Sequence, residues 1–123
     1  MVDAGVLVSL LVGDLGPEVL GDEELVAPHL VDSEVTHVLR RLARQGHLSD
    51  GDATVAMDGF VRLSLTRFPA NWLRGRMWAL RHSLSAYDAT YVALAEALSA
   101  TSLLTTDARL AVAPGIQCGV DVV

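Results

Sequence analysis

The chain has 123 residues, of which 51% are hydrophobic, with a net charge of -6 and one cysteine. This length predicts one domain with a substantial core. The lone Cys118 excludes an internal disulfide and favours a reducing, cytoplasmic environment. Charges interrupt every apolar stretch, so we expect no membrane span. All nine basic residues are arginine, which excludes lysine-dependent mechanisms such as P-loop nucleotide hydrolysis and Schiff-base chemistry.

The order of predicted elements indicates the fold class. They are a short strand at 1–3, a helix at 4–13, a turn-rich segment at 14–24 with a helical turn at 18–20, a strand from 24 that stops before Pro28, helices at 29–45 and 50–60, a strand at 61–68, helices at 71–83 and 86–99, a strand at 101–105, a helical turn at 107–111 and a strand at 116–123. Trp72, Leu73, Met77 and Leu80 are expected to face inward. Alternating strands and helices predict a three-layer α/β/α sandwich with a mainly parallel central sheet, in a single domain spanning 1–123.

Two acidic residues follow predicted strands. Asp3 comes after Met-Val, and Asp107 ends the segment LLTTD. Either could simply cap the helix that follows it. In parallel α/β sheets, however, ligands bind beyond the carboxyl ends of the strands. Both carboxylates are therefore candidates for a functional site.

Two further acids lie on helix faces that should point inward. Glu34 shares a face with Leu30 and Val38, where an unpaired carboxylate would be costly unless a metal ion or a buried arginine neutralised it. Asp88 lies three residues after Ser85, which is the spacing of a helix cap, and it shares the face of Tyr91. An inward-facing carboxylate in the first turn of a helix can both take part in the cap and belong to a functional site.

Together the four acids indicate one type of chemistry. Clustered carboxylates repel one another, and a divalent cation would relieve that repulsion. Oxygen ligands without His or Cys suit Mg²⁺ or Mn²⁺ rather than Zn²⁺. Such a site typically activates water and binds a phosphodiester. The acidic net charge argues against a non-specific nucleic-acid coat protein but not against an enzyme acting on nucleic acid.

Four blocks of the sequence resemble PIN domains in their order and spacing. They are VDAGVLV, PHLVDSEVTHVLRRL, LSAYDATYVALAEAL and LLTTDARLA. They are most similar to the VapC toxins of bacterial toxin–antitoxin pairs, and the resemblance covers essentially the whole chain. Its most specific part is AYDATYVALAE followed by TTDARL.

The resemblance implies a Mg²⁺-dependent endoribonuclease that is cytoplasmic, homodimeric and neutralised by a VapB-like antitoxin, which would offer an arginine to the carboxylates. It places the metal ligands at Asp3 and Asp88, with Glu34 and Asp107 completing the catalytic quartet. Thr105 and Arg109 match the hydroxyl and basic residues of the last block. We expect Thr105, Arg109 and Arg81 to bind the RNA substrate, the arginines through phosphate.

Two departures from the family pattern support an alternative. The VDA block is usually followed by Ser or Thr, whereas this chain has Gly5, and only two residues precede Asp3. A catalytically inactive PIN-like binding or regulatory module is therefore the first alternative. A HAD-type phosphotransfer enzyme is the second, although that pattern wants an aspartate at position 5.

Overall fold

The computed structural model describes all 123 residues. Its elements, in chain order, are α1 (Ala4–Val12), a 3₁₀ turn (Pro17–Leu20), β1 (Val26–Pro28), α2 (Leu30–Arg44), α3 (Asp50–Arg62), β2 (Thr66–Phe68), a second 3₁₀ turn (Asn71–Leu73), α4 (Arg74–Ala79), α5 (Ala86–Ala97), β3 (Leu103–Thr105), α6 (Ala108–Ala111) and β4 (Val120–Val122). This is the predicted α/β class. None of the helices combines the length and the apolar character that crossing a bilayer requires.

The strands form two parallel pairs that Val2 links into one layer. Strand β1 pairs with β2, and β3 pairs with β4. Val2 makes a parallel bridge to Leu104 on one side, and its N–H donates to the Val26 carbonyl at 3.1 Å on the other. The strand order is therefore β2, β1, Val2, β3, β4, and the predicted mainly parallel central sheet is confirmed.

The short first strand is nevertheless held firmly in the centre of the sheet. Val2 is fully buried, and the amino group of Met1 donates to the Ser102 carbonyl at 3.0 Å. The Asp3 N–H donates to the Leu104 carbonyl at 3.1 Å. Residues 1–3 thus fix Asp3 at the end of the central strand despite the small number of residues before it.

The helices fall into two packed groups around a core of 22 buried hydrophobic residues. Helices α1, α2 and α3 contact one another, whereas α4 packs on α5. Helix α5 contributes seven consecutive buried residues, from Ala89 to Ala95. Glu96 at its end accepts a bidentate pair from Arg76, at 2.7 and 3.0 Å, and the Gln117 N–H at 2.8 Å. This cluster anchors the C-terminal segment to α5.

Local capping explains where several helices begin and end. Asp3, Ser49 and Ser85 each accept a hydrogen bond from the first turn of the helix that follows. Gly13 ends α1 with φ of +87°, a conformation that glycine adopts without a Cβ penalty. Helix α2 was predicted within a residue of both its ends.

Three details of the predicted elements are wrong. Strand β1 includes Pro28, because His29 supplies the N–H to the Phe68 carbonyl at 3.0 Å that proline cannot. Of the predicted strand 61–68 only Thr66–Phe68 is extended, since α3 continues through Arg62. The expected helix 71–83 is a 3₁₀ turn followed by the short α4, and Trp72 on that turn is 56% exposed rather than inward.

Candidate functional site

Asp3 is both the N-cap of α1 and a carboxylate at the end of the central strand. Its Oδ1 accepts the Val6 N–H at 2.8 Å. Burial raises the pKa of the Asp3 carboxyl, hydrogen bonds from Thr105 and from the Val6 N–H oppose that shift, and the charge of Asp88 adds to it. The sequence left a cap and a site residue as alternatives, and in the structure Asp3 is a cap that also carries a half-buried carboxyl with a raised pKa.

Glu34 lies at the border of the buried face of α2. The fully buried positions are Val31, Val35 and Leu39, while Glu34 itself is half-buried. The Tyr91 hydroxyl donates to Glu34 Oε1 at 2.8 Å. Burial raises the pKa of Glu34, the Tyr91 hydrogen bond opposes this, and Asp3 and Asp88 raise it further. No arginine pairs with Glu34, so the buried-arginine alternative does not hold.

Asp88 connects these two acids electrostatically. Its backbone N–H donates to Ser85 Oγ at 3.2 Å, which completes the predicted cap, but its carboxylate has no hydrogen-bond donor within the protein. It raises the pKa of both Asp3 and Glu34 by charge repulsion. Asp3, Glu34 and Asp88 therefore form a group of mutually repelling carboxylates; we call these three the acidic triad.

Asp107 is engaged differently from the acidic triad. Its Oδ1 accepts the Arg109 backbone N–H at 2.9 Å, and the Arg109 guanidinium forms a bidentate pair with both carboxylate oxygens at 2.6–3.1 Å. Arg109 holds the pKa of Asp107 at about 2. Asp107 is thus ionised and already neutralised by a side chain that is 91% exposed.

The acids line two separate cavities, and their carboxylates do not all meet at one point. Asp88, Asp107 and Arg109 line a cavity of about 310 Å³, whereas Glu34 lines a second one of about 480 Å³ beside His37. No three His, Cys, Asp or Glu side chains are arranged so that they would hold one metal ion. The three carboxylates of the acidic triad lie close enough to repel one another, whereas Asp107 is paired with Arg109.

The three predicted substrate-binding residues occupy different environments. Thr105 is fully buried, and its hydroxyl accepts the Asp107 N–H at 2.9 Å. The Thr105 side chain also hydrogen-bonds the Asp3 carboxyl, so it contacts both acids that follow strands. Arg109 is exposed at the cavity of Asp88. Arg81 lies apart from that cavity, with its guanidinium carbon 4.5 Å from the centre of the exposed Trp78 ring.

Sequence reasoning missed the pairing of Tyr91 with Glu34. The two residues are 57 positions apart, and the sequence showed only that Tyr91 lies on the same face as Asp88. Burial and the neighbouring Glu34 charge raise the pKa of the Tyr91 hydroxyl, which keeps it protonated as a donor. Tyr91 therefore orients one carboxylate of the acidic triad.

The fold and the group of acids at the strand ends define a PIN-type domain. Residues 1–116 match the PIN domain family. The chain is 44% identical over 124 residues to VapC ribonuclease Mb0985 of Mycobacterium bovis, with all of this chain and 97% of that protein covered. It is equally similar to ribonuclease VapC9 of Mycobacterium tuberculosis. Ribonuclease VapC1 of the same species is 46% identical over 98 residues, which are 79% of this chain and 73% of that protein. The chain therefore belongs to the PIN-domain family, in its VapC group, as the sequence motifs predicted.

Proposed function

We propose that this protein is a Mg²⁺-dependent endoribonuclease and the toxin of a toxin–antitoxin pair. The observation that carries the proposal is the acidic triad, in which three carboxylates repel one another beside the end of the central strand. Its VapC relatives are ribonucleases by name. A binding module would have no evident need for three half-buried charges that destabilise each other.

The donor chemistry of the site fits a hard divalent cation. The acidic triad offers carboxylate oxygens, and the Asp88 carboxylate has no competing donor from the protein. Mg²⁺ and Mn²⁺ favour such ligands. In our proposal Asp3, Glu34 and Asp88 would hold the ion once their side chains move closer together than they lie here, and Asp107 would join them once Arg109 releases it. A bound Mg²⁺ would supply positive charge to the phosphate oxygens and lower the pKa of a bound water.

The protein side chains would then position the reactants. Tyr91 fixes the orientation of Glu34 through its 2.8 Å hydrogen bond. The hydroxyl of Thr105, at the end of β3, accepts the Asp107 N–H and so fixes the backbone that carries Asp107. Arg109, once released from Asp107, has the exposure and the guanidinium geometry to bind an RNA phosphate. Arg81 would contact the RNA backbone further from the cleavage point.

The same geometry supports inhibition by an antitoxin. The bidentate pair between Arg109 and Asp107 supports the proposal only as an example of a guanidinium bound to a carboxylate beside the acidic triad. In our proposal a VapB-like antitoxin inserts an arginine at the acidic triad, where it competes with the metal ion and with RNA. We further propose that the protein acts in the cytoplasm as a homodimer.

The proposal is tested by measuring RNA cleavage and metal binding together. Purified native protein should cleave RNA with Mg²⁺ but not with EDTA, and Mg²⁺ should raise its melting temperature. Asp88→Asn should abolish both effects, because it removes the one carboxylate that has no protein partner. Asp58→Asn is the matched control, since Asp58 is an exposed residue of α3 and lines neither of the cavities that the acids line.

Two outcomes would count against this function. Equal cleavage by the native and Asp88→Asn proteins would remove the acidic triad from the reaction. A folded native protein that neither cleaves RNA nor gains stability with Mg²⁺ would instead favour the inactive regulatory module. Expression in a bacterial host gives a separate readout, because the native chain alone should arrest growth, and the product of a neighbouring small gene should relieve the arrest.

A further inference from the structure

The space above Gly5 is filled by a side chain from another part of the molecule. A Cβ built on Gly5 would lie 2.6 Å from Thr106 Oγ1 and 3.3 Å from Asp3 Oδ1. Contact at 2.6 Å is shorter than a carbon and an oxygen tolerate, so a residue larger than glycine would displace the Thr106 hydroxyl. Gly5 has no positive φ that would require glycine. The lack of a side chain at position 5 therefore matters for the room it leaves.

Thr106 brings a free hydroxyl to the carboxylate of the central strand. Both Thr106 Oγ1 and Asp3 Oδ1 lie within 3.3 Å of the same point above Gly5. Thr106 is exposed, and its hydroxyl makes no hydrogen bond within the protein. Its neighbours Thr105 and Asp107 are both committed to internal hydrogen bonds. Thr106 is thus the one side chain of this turn that is free to bind something from solution.

We propose that the Thr106 hydroxyl and Asp3 Oδ1 together hold the water molecule that attacks the RNA phosphorus. The hydroxyl donates a hydrogen bond to one lone pair of the water oxygen, and Asp3 Oδ1 accepts one of the water protons as the second lone pair forms the new bond to phosphorus. The bond from phosphorus to the ribose oxygen of the leaving strand then breaks, and that oxygen takes up a proton from solvent. This inference rests on the proposed ribonuclease function and assigns a further residue to it. It also explains glycine at position 5, because the Thr106 hydroxyl can lie beside Asp3 only if residue 5 has no side chain.

The test compares variants that remove, keep or move the hydroxyl. Thr106→Val removes it at nearly constant volume and should lower kcat about tenfold with little change in KM, as expected for one hydrogen bond to a reacting group. Thr106→Ser keeps the hydroxyl and should retain activity within about twofold. The double variant Gly5→Ser, Thr106→Ala places a hydroxyl at position 5 and should recover much of the loss. Thr101→Val is the control, since Thr101 is exposed and lies at a different cavity.

Gly5→Ala displaces the hydroxyl without deleting it. Alanine is favoured over glycine within a helix by about 0.5–1 kcal/mol, and Gly5 lies in the first turn of α1. The melting temperature should therefore hold or rise while kcat falls as in Thr106→Val. This combination separates a loss of water positioning from a loss of structure.

A crystal structure supplies a readout that does not depend on activity. In the native protein we expect a water molecule within hydrogen-bond distance of both Thr106 Oγ1 and Asp3 Oδ1, and its absence from Thr106→Val crystals. Native kinetics in Thr106→Val, or no such water in native crystals, overturns the inference and leaves the ribonuclease function standing. If the native protein cleaves no RNA, the proposed function fails, and the role of Thr106 in cleavage fails with it, whether or not the water is present.

Discussion

Replacing Asp3 with asparagine separates its two roles, as a helix cap and as a half-buried charge. Asparagine caps helices about as well as aspartate, so the hydrogen bond from the Val6 N–H, 2.8 Å in the native protein, should persist. The substitution removes a carboxylate whose pKa is raised by burial and by Asp88. Without metal at pH 7, we therefore expect Asp3→Asn to unfold with a free energy equal to or greater than that of the native protein.

Alanine at the same position supplies the matched comparison. Asp3→Ala also removes the charge, but it loses the cap, which is worth about 1 kcal/mol. It should therefore be less stable than Asp3→Asn by about that amount. Urea denaturation followed by far-UV circular dichroism measures all three free energies of unfolding. Both variants should be inactive, because neither supplies the carboxylate.

Mg²⁺ should reverse the order of stability of the native protein and Asp3→Asn. At a free concentration of about 100 times its Kd, an ion that binds only the folded state adds about 2.7 kcal/mol. The native protein should gain this, whereas Asp3→Asn, which lacks a proposed ligand, should gain little. A variant that is at least about 1 kcal/mol less stable than the native protein without metal would refute the charge argument, since that loss matches a failed cap. Equal stabilisation of both by Mg²⁺ would refute the ligand assignment.

The pH dependence follows from the same shift. The unfolded Asp3 carboxyl titrates near 3.8, and the folded one titrates at a higher pH. The folded state therefore binds this proton more tightly, so native stability should decline as pH rises from the unfolded value through the folded one. Asp3→Asn should lack this part of the decline. An identical pH profile for the two proteins would contradict the raised pKa.

Three further predictions address neighbouring contacts. Arg109→Ala should let the pKa of Asp107 rise from about 2 towards its ordinary 3.8, which carboxyl ¹³C NMR titration measures, and an unchanged pKa would contradict the pairing. Tyr91→Phe removes the donor that opposes the raised pKa of Glu34, so the acidic limb of the pH–rate profile should move to higher pH; a shift to lower pH would be inconsistent with that hydrogen bond. Glu96→Ala breaks the cluster that anchors the C-terminal segment and should lower the free energy of unfolding by about 1–3 kcal/mol. Because the pKa of Glu96 is lowered, its contribution is present above its ordinary 4.5 and is lost as pH falls below it; RNA cleavage should stay within about twofold, and a larger loss would place Glu96 in the reaction.

Local sequence signals identified most helices because they depend on near neighbours. Ser49 and Ser85 precede apolar runs with helical spacing, and both cap the helices that follow. Gly13 ends α1 as its conformational freedom predicts. These interactions close within one helical turn, so the sequence contains nearly all the information that decides them.

Local signals failed at two places, for different reasons. The alternating segment from Val61 was predicted as a strand, but α3 runs on to Arg62 because Ala56 and Phe60 bury the helix in the core. Trp72 was expected inward, yet it lies on a 3₁₀ turn where its indole N–H donates to the Pro69 carbonyl at 2.7 Å. In the first case packing in the core selected the helix. In the second a contact only three residues away, which the apolar spacing did not reveal, holds the indole outside.

The sequence by itself determined the family, the order of most elements and the four acids Asp3, Glu34, Asp88 and Asp107. Strand ends and helix faces are properties of short segments, so each acid could be singled out from its own neighbours. Only the tertiary structure decided how the acids relate. It coupled Asp3, Glu34 and Asp88 and placed the Tyr91 hydroxyl against Glu34. Those relations join residues far apart along the chain, and they exist only once the sheet order and helix packing bring the segments together.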